Sequence, residues 1–172
     1  MLIFFLIDSF DIPGLAISVV QDKTGYGVSD IDISQLVSED TLFLAGSTTK
    51  AFTAAAISLL VDDNQNYPNI QWDTPVHSII PNDFSMIDPW YTDHVTLTDI
   101  LSFYLIAQVY LVMTANLTPQ EIVQRIRHLP LTAEIRTRFQ YGNLMYIVAT
   151  HILEIVTGQS LQSLFIDKYG HL

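Results

Sequence analysis

The stretch "LFLAGSTTKAFTAAAISLL", Leu42 to Leu60, decides how this chain is read. From Ala51 to Val61 it is apolar nearly all round, the pattern of a helix buried in a core rather than lying on a surface. Its opening is Ser47-Thr48-Thr49-Lys50. Ser47 alone suits a helix N-cap, whose side-chain oxygen accepts a backbone N–H of the first turn. Lys50 does not fit that picture. Three residues after a cap the favoured residue is Glu or Gln, and a cation there faces the positive end of the helix dipole. Burial and the dipole both disfavour an ammonium, which suits a lysine that serves as a base. A spacing of three sets its amine over the Ser47 hydroxyl. Nucleophilic catalysis by serine needs an oxygen at an exposed turn, a base within reach and nearby N–H groups for an oxyanion. Ser47 is therefore a candidate nucleophile and Lys50 a candidate general base, in the pattern S-x-x-K.

The 172 residues fit one domain, and a hydrophobic content of 49% is enough to fill its core. Seven Lys plus Arg against 18 Asp plus Glu give a net charge of −11, which argues against nucleic acid and against an anionic membrane surface. Without cysteine there is no disulfide, thiol nucleophile or thiolate metal site. His77, His94, His128, His151 and His171 are scattered without metal-ligand spacing and read as structural or surface residues. The apolar runs "MLIFFLIDSF" at the start and "FYLIAQVYLVM" from Phe103 to Met113 fall short of the roughly 20 residues of a spanning helix. The first also lacks the basic flank and cleavage pattern of a signal peptide, so the sequence assigns no compartment. The sequon Asn116-Leu117-Thr118 is followed by Pro119 and carries little weight.

Along the chain, "LAISVV" from Leu15 to Val20 reads as a buried strand and "GYGVSDIDI" as a short second one. The long helix from Ser47 is expected to run to Asp62 or Asp63. "NQNYPNIQWDTPVHSIIPNDF", with Pro68, Pro75 and Pro81, reads as loop with short turns. A helix is expected at "TLTDILS", with Thr96 or Thr98 near its cap. Another opens at Thr118-Pro119-Gln120-Glu121, with Pro in the first position and Glu three after the cap, and continues through "EIVQRIRHL". Tyr141 to Thr157 reads as a long apolar helix closed by Gly158. Helices dominate, with strands only near the N-terminus.

The blocks "DIPGLAISVV", "DTLFLAGSTTKAFTAAAISLLVDD", "IQWDTPVHSIIP", "VTLTDILS" and "FQYGNLMYIVATHILEIVTGQSL" resemble, in this order, serine β-lactamase-related proteins of the class C type. That family also holds penicillin-binding D,D-peptidases, esterases and fungal acyl transferases, and "AGSTTKAFTAAA" with "PLTAEIRTRFQYGNLMY" looks most similar to fungal members. The family's Y-x-N element falls here on Tyr141-Gly142-Asn143. The resemblance implies that Tyr141 takes part in proton transfer with Lys50, and that Asn143 orients Lys50 and the substrate. Read without it, Tyr141 is a loop aromatic and Asn143 a helix N-cap. The implied chemistry runs through an acyl-serine on a small-molecule ester or amide and needs no metal or organic cofactor. A β-lactam, a peptide, a simple ester and a thioester-borne acyl group all remain open as substrates.

Three departures from the family accompany the likeness. "DKTGYG" is abrupt where a longer hairpin is usual, so one strand looks truncated. "FYLIAQVYLVMTANL" replaces a Ser/Thr-Gly-Leu turn. After "FIDKYGHL" comes no Lys/His-Thr-Gly strand, which the family uses for an oxyanion N–H. The expectation is an α+β fold: a single incomplete β-lactamase/transpeptidase-like domain over residues 1–172, mostly helical with a few N-terminal strands and with the C-terminal sheet strands absent. Two functions stand beside it. One is a serine hydrolase or acyl transferase. The other is a catalytically inactive truncated homologue or interaction module, which self-associates through the open sheet edge left by "LAISVV".

Overall fold

The computed structural model describes residues 14–18, 23–30, 32–38, 40–44, 46–102, 117–137 and 141–164. The chain divides into two compact units, the first up to Gly46 and the second from Ser47 on. In the first, β1 (Gly14–Ser18), β2 (Lys23–Asp30) and β3 (Gln35–Leu36) form one antiparallel sheet in the order β1-β2-β3. The register between β1 and β2 runs from Gly14 opposite Gly27 to Ser18 opposite Lys23. The strand expected at "GYGVSDIDI" thus starts two residues earlier, so that Lys23 and Thr24 of the abrupt "DKTGYG" are taken into the ladder. The reason is pairing: inter-strand hydrogen bonds to β1 outweigh the weak strand preference of Gly25 and Gly27. Among the described residues β1 has a partner on one side only.

The second unit is helical. Its elements are α1 (Thr49–Asp62), α2 (Val76–Ile79), α3 (Pro89–His94), α4 (Leu97–Ser102), α5 (Pro119–Arg125) and α6 (Leu144–Thr157). Single 3₁₀ turns lie at Gly46–Thr48, just before α1, and at Ile126–His128, just after α5. Helix α6 is central and packs against α1, α4 and α5. It buries Leu144 and sets Met145, Val148, Ala149, Ile152 and Leu153 in one continuous core with Ile57, Leu60 and Val61 of α1, Leu97 and Ile100 of α4, and Val123 of α5. Phe84, wholly buried in the loop after α2, completes it. That loop is pinned by Nδ1 of His77, 2.8 Å from the Phe84 carbonyl.

Local chemistry explains the helix ends. Thr118 and Glu121 form a reciprocal capping box at the start of α5, with Pro119 in its first turn, as their spacing predicts. Gly158 ends α6 in the left-handed conformation, φ 69°, which glycine adopts without strain. At α4 the cap is Thr96, whose backbone N–H and hydroxyl both donate to Oδ2 of Asp99, at 3.0 and 2.8 Å. Its approach is fixed by a bridge of Pro75 with Thr96 and by a bond from Val76 N–H to the Val95 carbonyl. Helix α3 was not foreseen in the sequence. Its signal is Asp88 followed by Pro89, with the Asp88 carboxylate accepting from Trp90 N–H.

Two expectations need correction. Helix α1 buries one stripe, Thr53, Ala56, Ile57, Leu60 and Val61, at helical spacing. Its other side is open: Ala51 and Ala55 are exposed, and Phe52 is 52% exposed. The surplus apolar residues there are mostly alanines, which favour helix by intrinsic propensity as much as by burial. Helix α6, in turn, begins at Leu144 and not at Tyr141. The segments 1–13, 103–116 and 165–172, with the runs singled out there, lie outside the described residues.

Candidate active site

Ser47 lies in the 3₁₀ turn that leads into α1, and Lys50 in the first turn of α1. Residues three apart in such a turn stand nearly above one another. Nζ of Lys50 accordingly donates to Oγ of Ser47 at 3.3 Å. Ser47 is not the cap of α1. Thr48 occupies that position, with no side-chain capping bond, so the Ser47 hydroxyl is turned to Lys50 and Tyr141 instead.

Tyr141 and Asn143 come from the start of α6. Asn143 is its N-cap residue by position, yet its side chain makes no capping bond. Oδ1 of Asn143 instead accepts from Lys50 Nζ at 2.6 Å. The Tyr141 hydroxyl donates to Ser47 Oγ in a short hydrogen bond, and Lys50 Nζ stands 4.9 Å from the Tyr141 ring centroid. Starting the helix at Leu144 makes this convergence geometrically feasible. Inside an α-helix, residues two apart point about 200° from one another, so Tyr141 and Asn143 could not both face Lys50.

The electrostatics follow from those contacts. Hydrogen bonding with Lys50, and next with Ser47, holds the Tyr141 phenol below the ordinary tyrosine value; the positive charge of Lys50 acts in the same direction. Lys50 itself is half-buried, whereas Ser47 and Tyr141 are exposed, so the hydroxyl pair faces solvent over a semi-buried amine.

The structure adds a residue that sequence reading missed. Tyr146 lies on α6 three residues after Asn143, and its ring centroid is 5.5 Å from Lys50 Nζ. Its hydroxyl donates to the Leu101 carbonyl at 3.1 Å, tying α6 to the end of α4. Burial, and then the neighbouring Tyr141, push its phenol up. The available signal was helical spacing from Asn143, but an aromatic on an apolar helix reads first as core.

Two further polar clusters lie in this unit. Asp99, 1% exposed, is gripped by Arg136 through Nε at 2.9 Å and Nη2 at 2.8 Å. Burial alone would raise the Asp99 carboxyl, but the hydrogen bonds from Arg136 and Thr96 outweigh it and hold it below the usual value. Arg136 has φ 63°, a left-handed conformation that costs a non-glycine residue roughly 1–2 kcal/mol. Asp83 accepts from His151 Nε2 at 2.9 Å and from Gln120 and Gln124 Nε2 at 2.9 and 2.8 Å. His151, read in the sequence as structural, is thus buried in a satisfied network. Among the described residues no group of His, Asp and Glu is arranged to hold a metal ion, and no helix is long and apolar enough to cross a membrane.

Comparison with known proteins gives a consistent picture. The sequence pattern of the Beta-lactamase family matches residues 6–169. Two curated relatives are fungal: the unguisins hydrolase ungD of Aspergillus violaceofuscus, 44% identical over 90% of this chain, and ungD' of Aspergillus campestris, 40% identical over 94%. The chain spans 29% and 32% of their respective lengths. Among solved structures, the octameric penicillin-binding protein homologue from Pyrococcus abyssi superposes with a TM-score of 0.78, over 97% of this chain and 40% of that one, at 23% identity. At that identity the likeness speaks for the fold alone: the helices and strands described above are part of a β-lactamase/transpeptidase-type architecture.

Proposed function

The chain belongs to the Beta-lactamase family, and from that premise we propose that it is a serine hydrolase acting through an acyl-serine intermediate on an ester or amide bond. The observation that carries the reading is Lys50 Nζ, bonded at once to Ser47 Oγ and to Asn143 Oδ1, with the Tyr141 hydroxyl on the same serine oxygen. Ser47 is the nucleophile. Its proton passes to the Tyr141–Lys50 pair as Oγ bonds to the substrate's carbonyl carbon. Lys50 favours the tyrosinate by its charge, so Tyr141 can receive that proton and Lys50 holds the negative oxygen in place. The tetrahedral intermediate collapses by breaking the bond to the leaving amine or alcohol, which takes a proton back from the same pair. Water then attacks the acyl-serine, and its proton follows the same route while Ser47 is restored. Asn143 keeps Lys50 aimed at both hydroxyls. No metal or organic cofactor enters these steps.

The test is intact-mass detection of Ser47 acylation by a fluorophosphonate and by a penicillin-type β-lactam. A mass gain on the parent that disappears in Ser47→Ala supports the proposal. A folded parent that takes up neither reagent favours the alternative, a non-catalytic homologue. By likeness to the two fungal relatives, unguisins are the first natural substrates to try.

A further inference from the structure

Arg136 combines three properties that do not belong together by chance. It is a non-glycine residue held at φ 63°, half of its side chain is in solvent, and that side chain nevertheless makes a bidentate bond to a carboxylate that is 1% exposed. A glycine would take this backbone conformation without strain. The arginine is kept there by its grip on Asp99, and a left-handed residue reverses the chain direction locally. Asp99 is itself buried and tied to the start of α4 through Thr96. Helix α4 is in turn fixed to the loop around Trp72, whose carbonyl accepts from the N–H and hydroxyl of Thr98 at 3.0 and 2.9 Å.

Arg136 lies five residues before Tyr141. After Tyr141, the chain is anchored by Asn143 on Lys50 and by Tyr146 on the Leu101 carbonyl of the same α4. Tyr141 thus sits between two attachments to α4, one before it through Arg136 and Asp99, one after it through Tyr146 and Leu101. Tyr141 is 52% exposed, and its hydroxyl meets Ser47 beside Lys50. We infer that Arg136 is a positioning residue for the active site: its fork on buried Asp99 anchors the approach to Tyr141 and so holds the phenol on Ser47. The inference rests on the proposed roles of Ser47 and Tyr141, but it concerns where the phenol is held and has a readout of its own.

That readout is the ionisation of Tyr141, followed by ultraviolet absorbance as the difference between each protein and its Tyr141→Phe counterpart. Arg136→Gly relieves the backbone strain while removing the fork. Asp99→Asn with Arg136→Gly also removes the buried charge, which protects the fold if the single variant is unstable. Arg136→Lys keeps a charge without the bidentate geometry. In variants that keep the parent's circular dichroism, the expected result is a Tyr141 midpoint shifted up toward free tyrosine, with fluorophosphonate labelling of Ser47 slowed at least about tenfold in Arg136→Gly and less in Arg136→Lys, an effect of the size expected when a catalytic group is displaced. An unchanged Tyr141 midpoint in the folded double variant would overturn the inference. A parent that shows the lowered midpoint but never labels at Ser47 would instead sink the hydrolase reading and leave the positional one standing, so the two failures are told apart.

Discussion

Lys50 and Asn143 are 93 residues apart in the chain and 2.6 Å apart in space. The bond joins the first turn of α1 to the start of α6, and it directs the amine to the place where Ser47 and Tyr141 meet. A half-buried ammonium shared by an amide oxygen and a serine hydroxyl has a defined direction, which a solvated lysine lacks.

Removing that amine should cost most of the reactivity of Ser47. Lys50→Met is expected to slow fluorophosphonate labelling by about 10²–10⁴, the range of a lost acid–base group, with little change in thermal stability. Stopped or quenched labelling followed by mass spectrometry measures it. A Lys50→Met protein that labels at the parental rate would remove Lys50 from the mechanism.

The pH dependence should belong to Tyr141. Because Lys50 and Ser47 hold its phenol below the ordinary value, the tyrosinate forms at lower pH than in free tyrosine, near 10. A base works in its deprotonated form, so labelling should rise with pH through a midpoint below that value and then level off. Tyr141→Phe should flatten the rise, and in Lys50→Met the midpoint should move up. A rate profile identical in parent and Tyr141→Phe would contradict the assignment.

Acid should loosen the helical unit through Asp83. Burial tends to raise its carboxyl, but the hydrogen bonds from His151, Gln120 and Gln124 more than offset this, and its folded value lies below the ordinary 3.8. A depressed carboxyl contributes stability that is full above its unfolded value and is lost as pH falls through the folded one. Urea midpoints should therefore decline below about pH 4, where unfolded aspartate begins to bind its proton. Asp83→Ala should remove this part of the decline and cost about 1–3 kcal/mol at neutral pH, because it leaves the buried His151 without its acceptor, while Gln120 and Gln124 can turn to water. Parent and variant with the same acid slope would refute the role.

Gly158 tests whether space or backbone angle decides a substitution. A Cβ at this position would meet nothing within 4 Å, yet φ is 69°. Gly158→Ala should destabilise by about 1 kcal/mol through strain alone. A neutral or stabilising result in thermal denaturation would show that the C-terminus of α6 relaxes out of the left-handed conformation.

Several features that depend on neighbours in sequence were legible, although α3, whose Asp88-Pro89 start is equally local, was not. Thr118, Pro119 and Glu121 specify the start of α5 among themselves, Gly158 specifies the end of α6, and the spacing of Ser47 and Lys50 puts both on one face of one turn. The β1–β2 ladder was legible in kind but not in its start, since pairing drew Lys23 and Thr24 into it. The open side of α1 was hidden, because a run of alanines looks the same whether it is buried or merely helical.

By itself, then, the sequence determined the local pieces: a serine and a lysine one turn apart, the capped start of α5, the glycine end of α6, and a Tyr-Gly-Asn ahead of the last long helix. Tertiary structure alone decided the pairings of Lys50 with Asn143, Tyr146 with Leu101, Arg136 with Asp99 and Asp83 with His151. The physical reason is reach. Local bonds close within one turn and depend only on backbone geometry, whereas each of these four depends on helices being packed at a fixed offset by buried apolar contacts. Those contacts repay the entropy of closing long loops before any polar pair can form.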